Sequence, residues 1–214
     1  MKKTLLTALL AAGCVIPAVS AGESISTRSI GIGYEYSSYN IEDFDWTMNS
    51  AVIRGNYDFY KFNNGITVTL TGSAYYGFGE MELEDAPDGI EPYDTTRMGV
   101  KAGLLFNYSV SDKLTIFAGP TIGYNVFSYD TPDFFKNATG AELDDDTGVT
   151  YGVTAGLRYL LSNQKTSIEV GISVETTSLS GADDEYEAYG ETMTKWEEDS
   201  IGSTSFYIGI NHAF

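Results

Sequence analysis

The sequence predicts an all-β protein: a transmembrane antiparallel up-and-down β-barrel of eight strands. Three observations carry this. After residue 21, apolar residues recur with a period of two along almost the whole chain, and no stretch sustains the helical period of about 3.6. The faces opposite those apolar rows are rich in Gly, Ser and Thr rather than Lys and Glu, which suits a crowded interior better than a solvated surface. Tight turns alternate with longer, acidic connections, so one rim of the barrel is short and the other elaborate.

The first 21 residues, MKKTLLTALLAAGCVIPAVSA, stand apart. Lys2 and Lys3 precede an apolar run from Leu5 to Ile16, then come Pro17 and the small-residue site Val19-Ser20-Ala21. This reads as a secretory signal peptide cleaved after Ala21, because the run is too short to span a bilayer as a helix. AAGC, ending at Cys14, has a weak likeness to a lipoprotein signal, but the apolar run continues past it to a good cleavage site. Cys14 is the only cysteine, so residues 22–214, one domain's worth of chain, have no thiol or disulfide chemistry.

The strands follow in order. The first presents Ile30, Ile32, Tyr34 and Tyr36 on its apolar side; the second Ala51, Ile53, Tyr57 and Phe59. The third runs from Ile66 to Phe78 on even positions, the fourth from Met98 to Tyr108, the fifth through Leu114, Ile116, Ala118, Ile122 and Tyr124. The sixth runs from Val149 to Leu161 on odd positions, the seventh from Ile168 to Val174, and the eighth carries Phe206, Ile208, Ile210, His212 and Phe214. Aromatic residues collect at the ends of these rows. Tyr57, Phe59, Phe106, Tyr108, Tyr159 and Phe214 lie at one end; Tyr36, Tyr76, Phe78, Tyr124 and Tyr151 lie at the other. Aliphatic residues fill the middles. Two aromatic girdles around an aliphatic band are what a strand wall in lipid requires.

The connections after the second, fourth and sixth strands are the short KFNNG, VSDK and SNQK. Those after the first, third, fifth and seventh are longer, beginning with IEDFDW. Short turns then face the periplasm and long loops the exterior, with both termini on the short side. The last strand must pair with the first, since an open edge cannot sit in lipid. The ending, with a terminal aromatic Phe214, apolar residues at alternate places before it and Gly209 upstream, resembles the C-terminal assembly signal of outer-membrane barrels. Residues 22–214 as a whole resemble the small eight-stranded outer-membrane barrels of the OmpX/Ail and opacity-protein type. That resemblance implies a Gram-negative outer-membrane location, passage through periplasmic chaperones and the barrel-assembly machinery, and a monomer among lipid and lipopolysaccharide.

Charge narrows the function. The formal net charge is −18, and most of the 30 acidic residues fall in the longer connections, where only Lys136 and Lys195 oppose them. The short turns carry Lys61, Lys113 and Lys165. An acidic rim excludes nucleic acid as a partner and reads first as a solvated, self-repelling surface. Its sharper readings are divalent-cation capture, bridging to lipopolysaccharide phosphates, and recognition of a basic surface or host protein. For a metal, only Glu142, Asp144 and Asp146 in ELDDDTG offer weak candidates, since Thr147 stands where an EF-hand loop would need glycine.

Alternation points Glu35, Arg54, Lys101, Arg158, Glu169 and Glu175 into the lumen. Charges in so narrow a space must pair or stay hydrated. They read as an ion-pair plug, or alternatively as the lining of a narrow pore. An enzyme is not expected: His212 is the sole histidine, near the chain end and facing lipid, with no nucleophile or base beside it. No cofactor is expected either. The expected function is a non-enzymatic envelope barrel displaying acidic loops for a structural or adhesive role. The alternatives are a narrow channel, a lipid- or small-molecule-binding barrel, and a soluble lipocalin-like barrel.

Overall fold

The computed structural model describes residues 22–41, 44–83, 92–130, 145–180, 185–188, 191–194 and 200–214. The expected signal peptide, Glu142, Asp144, Lys136 and Lys195 lie outside them. Among the described residues there are ten strands: β1 (Gly22–Ile41), β2 (Phe44–Phe62), β3 (Ile66–Leu83), β4 (Tyr93–Ser109), β5 (Leu114–Asp130), β6 (Asp146–Leu160), β7 (Thr166–Leu179), β8 (Glu185–Ala188), β9 (Glu191–Thr194) and β10 (Ser200–Ala213). Eight of them close a barrel in the order β1-β10-β7-β6-β5-β4-β3-β2, antiparallel throughout. β8 and β9 form a separate two-stranded sheet within the last long connection, which the sequence pattern did not reveal.

The first and last strands meet at the seam. β1 pairs with β10 from Ser29↔Ala213 to Asn40↔Gly202, and the Phe214 N–H donates to the Arg28 carbonyl at 3.1 Å. The pairing can be followed round the wall from Ile32 through Ile53, Ala74, Val100, Tyr124, Val149 and Ser178 to Ser200, which stands beyond Asn40 of β1. This stagger tilts the strands, as closure of eight demands, and leaves an interior just wide enough for side chains.

Along most of the wall the apolar rows face outward. Ile32 is 69% exposed, Val100 58% and Ile122 59%, an apolar surface that only lipid can cover. Toward the loop end the dress reverses. On β2 the outward row passes from Ala51 to Asn49, Thr47 and Asp45, while Met48 and Trp46 are buried inside. On β3 it passes from Phe78 to Glu80 and Glu82, with Met81 inside; on β5 Ser128 and Asp130 face out, with Phe127 and Tyr129 inside. On β10 it passes from Phe206 to Thr204, with Ile201 inside.

Strand length explains the reversal. The barrel strands hold between 14 and 20 residues, more than the roughly 9–11 a tilted strand needs to cross the hydrocarbon. The surplus rises past the bilayer, where water covers the outer face and the inner face supplies the core. That core is Tyr39, Trp46, Met48, Met81, Phe127, Tyr129, Leu179 and Ile201. Trp46 stacks on Tyr39 with ring centroids 4.4 Å apart and meets Phe127 edge-on at 5.0 Å.

Two expectations are corrected here. IEDFDW is not a loop: β1 continues to Ile41, which pairs with Phe44, so only residues 42–43 separate the strands. Nor is the inner face uniformly small and polar, since Val52, Tyr75, Leu105, Phe117 and Tyr207 are buried within it.

The short turns are built by their own side chains. Ser111 Oγ accepts from the Lys113 and Leu114 amides at 3.3 and 3.1 Å, and Asn163 Oδ1 from those of Lys165 and Thr166 at 3.0 and 2.8 Å. Gly65, with φ at 86°, closes the third.

Candidate functional site in the lumen and outer rim

The alternation that turns Ile53, Val100 and Ile168 outward turns their neighbours inward, and each barrel strand thereby delivers polar groups to one narrow column. The six charged residues expected there form two clusters. Nearer the loops, Glu35 Oε1 accepts from Arg97 Nη2 at 2.9 Å, and its Oε2 lies 3.9 Å from Lys101 Nζ. Lys101 Nζ lies 2.7 Å from Glu175 Oε1, which also accepts from the Thr121 hydroxyl at 3.2 Å. Nearer the short turns, Glu169 is fully buried between two arginines. Its Oε1 accepts from Arg54, and its Oε2 from Arg158 Nε and Nη2 at 3.0 and 2.8 Å and from Asn211 Nδ2 at 3.2 Å.

An aromatic partition lies between the clusters. Val52, Tyr75 and Tyr207 pack together. The Arg97 guanidinium stands 4.6 Å from the Tyr75 ring centre and the Arg54 guanidinium 3.9 Å from that of Tyr207. Each ionic cluster is thus applied to the partition through a cation–π contact. Tyr75 also donates to Asn125 Oδ1 at 2.7 Å. The apolar core of the water-facing extension closes the column above.

Arg97 escaped the sequence reading. It donates to Glu35, to the Ser50 hydroxyl at 2.8 Å and to the Tyr39 hydroxyl, and is 3% exposed. Its parity with Lys101 on β4, opposite to that of Met98 and Val100, was the available signal. Tyr75 and Tyr207 were legible by the same rule.

Of the weak metal candidates, Asp146 is described. It is buried at the start of β6 and faces inward, away from the rim surface. Among the described residues no group of three His, Cys, Asp or Glu side chains could hold a metal ion. His212 is exposed, with Nδ1 3.1 Å from the Thr166 hydroxyl. Gly209 lies beneath the Tyr207 ring, and Phe214 is exposed at the short-turn edge of the wall. Outward on the extension, Asp45 pairs in register with Glu82, Glu80 with Asp94, and Asp94 with Asp130. Like charges set directly opposite one another repel.

A family model described as outer membrane protein beta-barrel domain matches residues 6–214. The chain belongs to this family of outer-membrane barrels. Among solved structures it is similar to Ail, the attachment invasion locus protein of Yersinia pestis, solved in complex with the heparin analogue sucrose octasulfate. The TM-score is 0.52 at 16% identity, over 88% of this chain and 99% of Ail. It is also similar to Neisserial surface protein A, with a TM-score of 0.54 at 12% identity, over 91% of this chain and 100% of that one. At such identities the likeness is one of fold. A search of the curated proteins finds no match. The outer-membrane barrel accordingly takes its apolar wall as the lipid-facing surface and the paired charges as its interior.

Proposed function

We propose that this protein is a closed, non-enzymatic outer-membrane barrel whose activity resides in its loop-bearing rim, where it serves envelope structure or adhesion to a surface partner. The observation that carries this reading is the filled lumen: two ion-pair clusters, an aromatic partition between them and an apolar core above. Four cations, Arg54, Arg97, Lys101 and Arg158, meet the carboxylates of Glu35, Glu169 and Glu175 in the interior of an eight-stranded barrel, which side chains suffice to fill. The six residues expected from sequence, joined by Arg97, act as a plug. Residues 1–21 serve as the signal peptide, cleaved after Ala21; mass spectrometry of the purified barrel checks this.

The rim's charge selects its partner. Ail was solved with a polyanion; here the outward acids Asp45, Glu80, Glu82, Asp94 and Asp130 disfavour one. A basic protein surface is the better fit. The test joins two measurements. Purified barrel in planar bilayers gives no steady conductance, and the immobilised barrel retains a basic test protein in a salt-sensitive manner while ignoring a sulfated polysaccharide. Single-channel openings would establish the narrow-channel alternative instead.

A further inference from the structure

The two rims of the wall differ in sign, and the basic one has no role in the reading above. Each cation of the lumen is paired with a carboxylate. Four others are not: Arg28, Lys61, Lys113 and Lys165 are exposed at the short-turn end and make no ion pair among the described residues. They are spread around the circumference. Arg28 and Lys61 stand on β1 and β2, Lys113 in the turn from β4 to β5, and Lys165 in the turn from β6 to β7. The side-chain carboxylates described there are Glu23, opposite Lys61 in register, Asp112, beside Lys113, and Asp58, which turns inward to accept from the Thr69 hydroxyl.

Three of these cations are held by contacts of their own. The backbone amides of Lys113 and Lys165 themselves donate the turn-forming bonds to Ser111 Oγ and Asn163 Oδ1, which fixes both residues' backbones at the rim. Arg28 lies directly opposite Tyr57, and its guanidinium stands 5.8 Å from the Tyr57 ring centre. Tyr57 belongs to the aromatic girdle, and Ile30, two residues up β1, is 54% exposed on the lipid-facing wall. The guanidinium therefore sits at the height where acyl chains give way to headgroups. Whatever lipid covers Ile30 and Tyr57 brings its headgroup to this belt.

We propose that the short-turn rim is a contact surface for anionic phospholipid headgroups in the leaflet that surrounds it, with Arg28, Lys61, Lys113 and Lys165 as the phosphate-facing groups. A basic side chain beside an anionic membrane surface strengthens binding by up to about fivefold. The four together give a clear preference for anionic over zwitterionic lipid, whereas the acidic rim repels anionic lipid and contributes none.

The experiment counts lipids. Folded barrel in mixed phosphatidylcholine–phosphatidylglycerol vesicles is released with limiting detergent, and retained lipids are quantified by mass spectrometry. The wild type keeps phosphatidylglycerol severalfold over its bulk share, and sodium chloride lowers this preference. The combined variant Arg28→Gln, Lys61→Gln, Lys113→Gln, Lys165→Gln falls to the bulk ratio, while Arg28→Lys with Lys61→Arg, Lys113→Arg and Lys165→Arg retains it. Retention at the bulk ratio by the wild type, an undiminished preference in the glutamine variant, or loss in the charge-conserving variant would each overturn the proposal. Folding is checked by the gel shift between heated and unheated samples. Should the glutamine variant not fold, the salt titration of the wild type decides, and a salt-insensitive preference overturns the proposal.

Discussion

Glu169 accepts from three side chains at once, Arg54, Arg158 and Asn211, whereas among the described residues each arginine pairs with this one carboxylate. The consequences of mutation are therefore unequal. Glu169→Ala strands two guanidinium groups in a confined column, and loss of a buried partner of this kind costs about 3–5 kcal/mol. Arg158→Leu leaves Glu169 still paired with Arg54 and bonded to Asn211, and Arg158 is itself partly exposed. Its loss should cost only the charged hydrogen bonds, about 1.5–3 kcal/mol. Urea titrations of the two variants in the same lipid measure the difference. Equal, small effects would mean that the lumen is wet enough to solvate these charges, and would revive the pore. The separation of the two ion-pair clusters was not legible in sequence. Alternation says which residues face inward, but which acid meets which base depends on the stagger of the strands.

At the level of elements, the seam between β1 and β10 joins the first and last strands of the barrel. Its packing is specific. A Cβ on Gly33 of β1 or on Gly209 of β10 would run into the Tyr207 ring, and Arg54 of β2 covers that ring from the lumen. The ring thus lies across the seam in the space that two glycines leave, an arrangement any larger residue would displace. Gly33→Val should slow closure, seen as a lasting fraction that migrates as unfolded in unheated gels. Adding Tyr207→Ala should restore part of it by vacating the space. Absence of that rescue would show that the Ile208 carbonyl, 2.6 Å from such a Cβ, rather than the ring is what demands glycine there. Phe214→Ser is a cleaner probe of the chain end, because the Phe214 N–H to Arg28 bond survives it. A fall in folded yield is then the work of the ring as an assembly signal or girdle residue, and unchanged yield would remove Phe214 from that role.

The molecule as a whole reads as one wall with two solvents. The eight strands, their closure and the lipid-facing rows were legible because a two-residue period is local and survives any tertiary arrangement. The water-facing extension was not. Alternation looks the same whether the apolar row faces lipid or a core, so Phe44, Trp46 and Met81 were read as parts of loops and Met48 and Phe127 were passed over. Only the register, which sets Trp46 and Met48 on the lumen side of β2 while Ala51 and Ile53 face out, shows the change of solvent. This makes the membrane boundary measurable by scanning a single strand. On β7, Val170 and Val174 face out among apolar neighbours, and Thr176 and Ser178 face out beyond them. Arginine at Val170 should destabilise the folded barrel by about 2–4 kcal/mol if that position lies near the bilayer midplane, and at Ser178 by about 0–1. In the extension the sensitive face is the inner one, where Trp46→Ala should cost about 3–5 kcal/mol as a core truncation. Unfolding titrations in vesicles would trace the crossover between Val174 and Ser178. A penalty for Ser178→Arg as large as that for Val170→Arg would place lipid around the whole length of the strand, leaving the buried aromatic core at its loop end without an explanation.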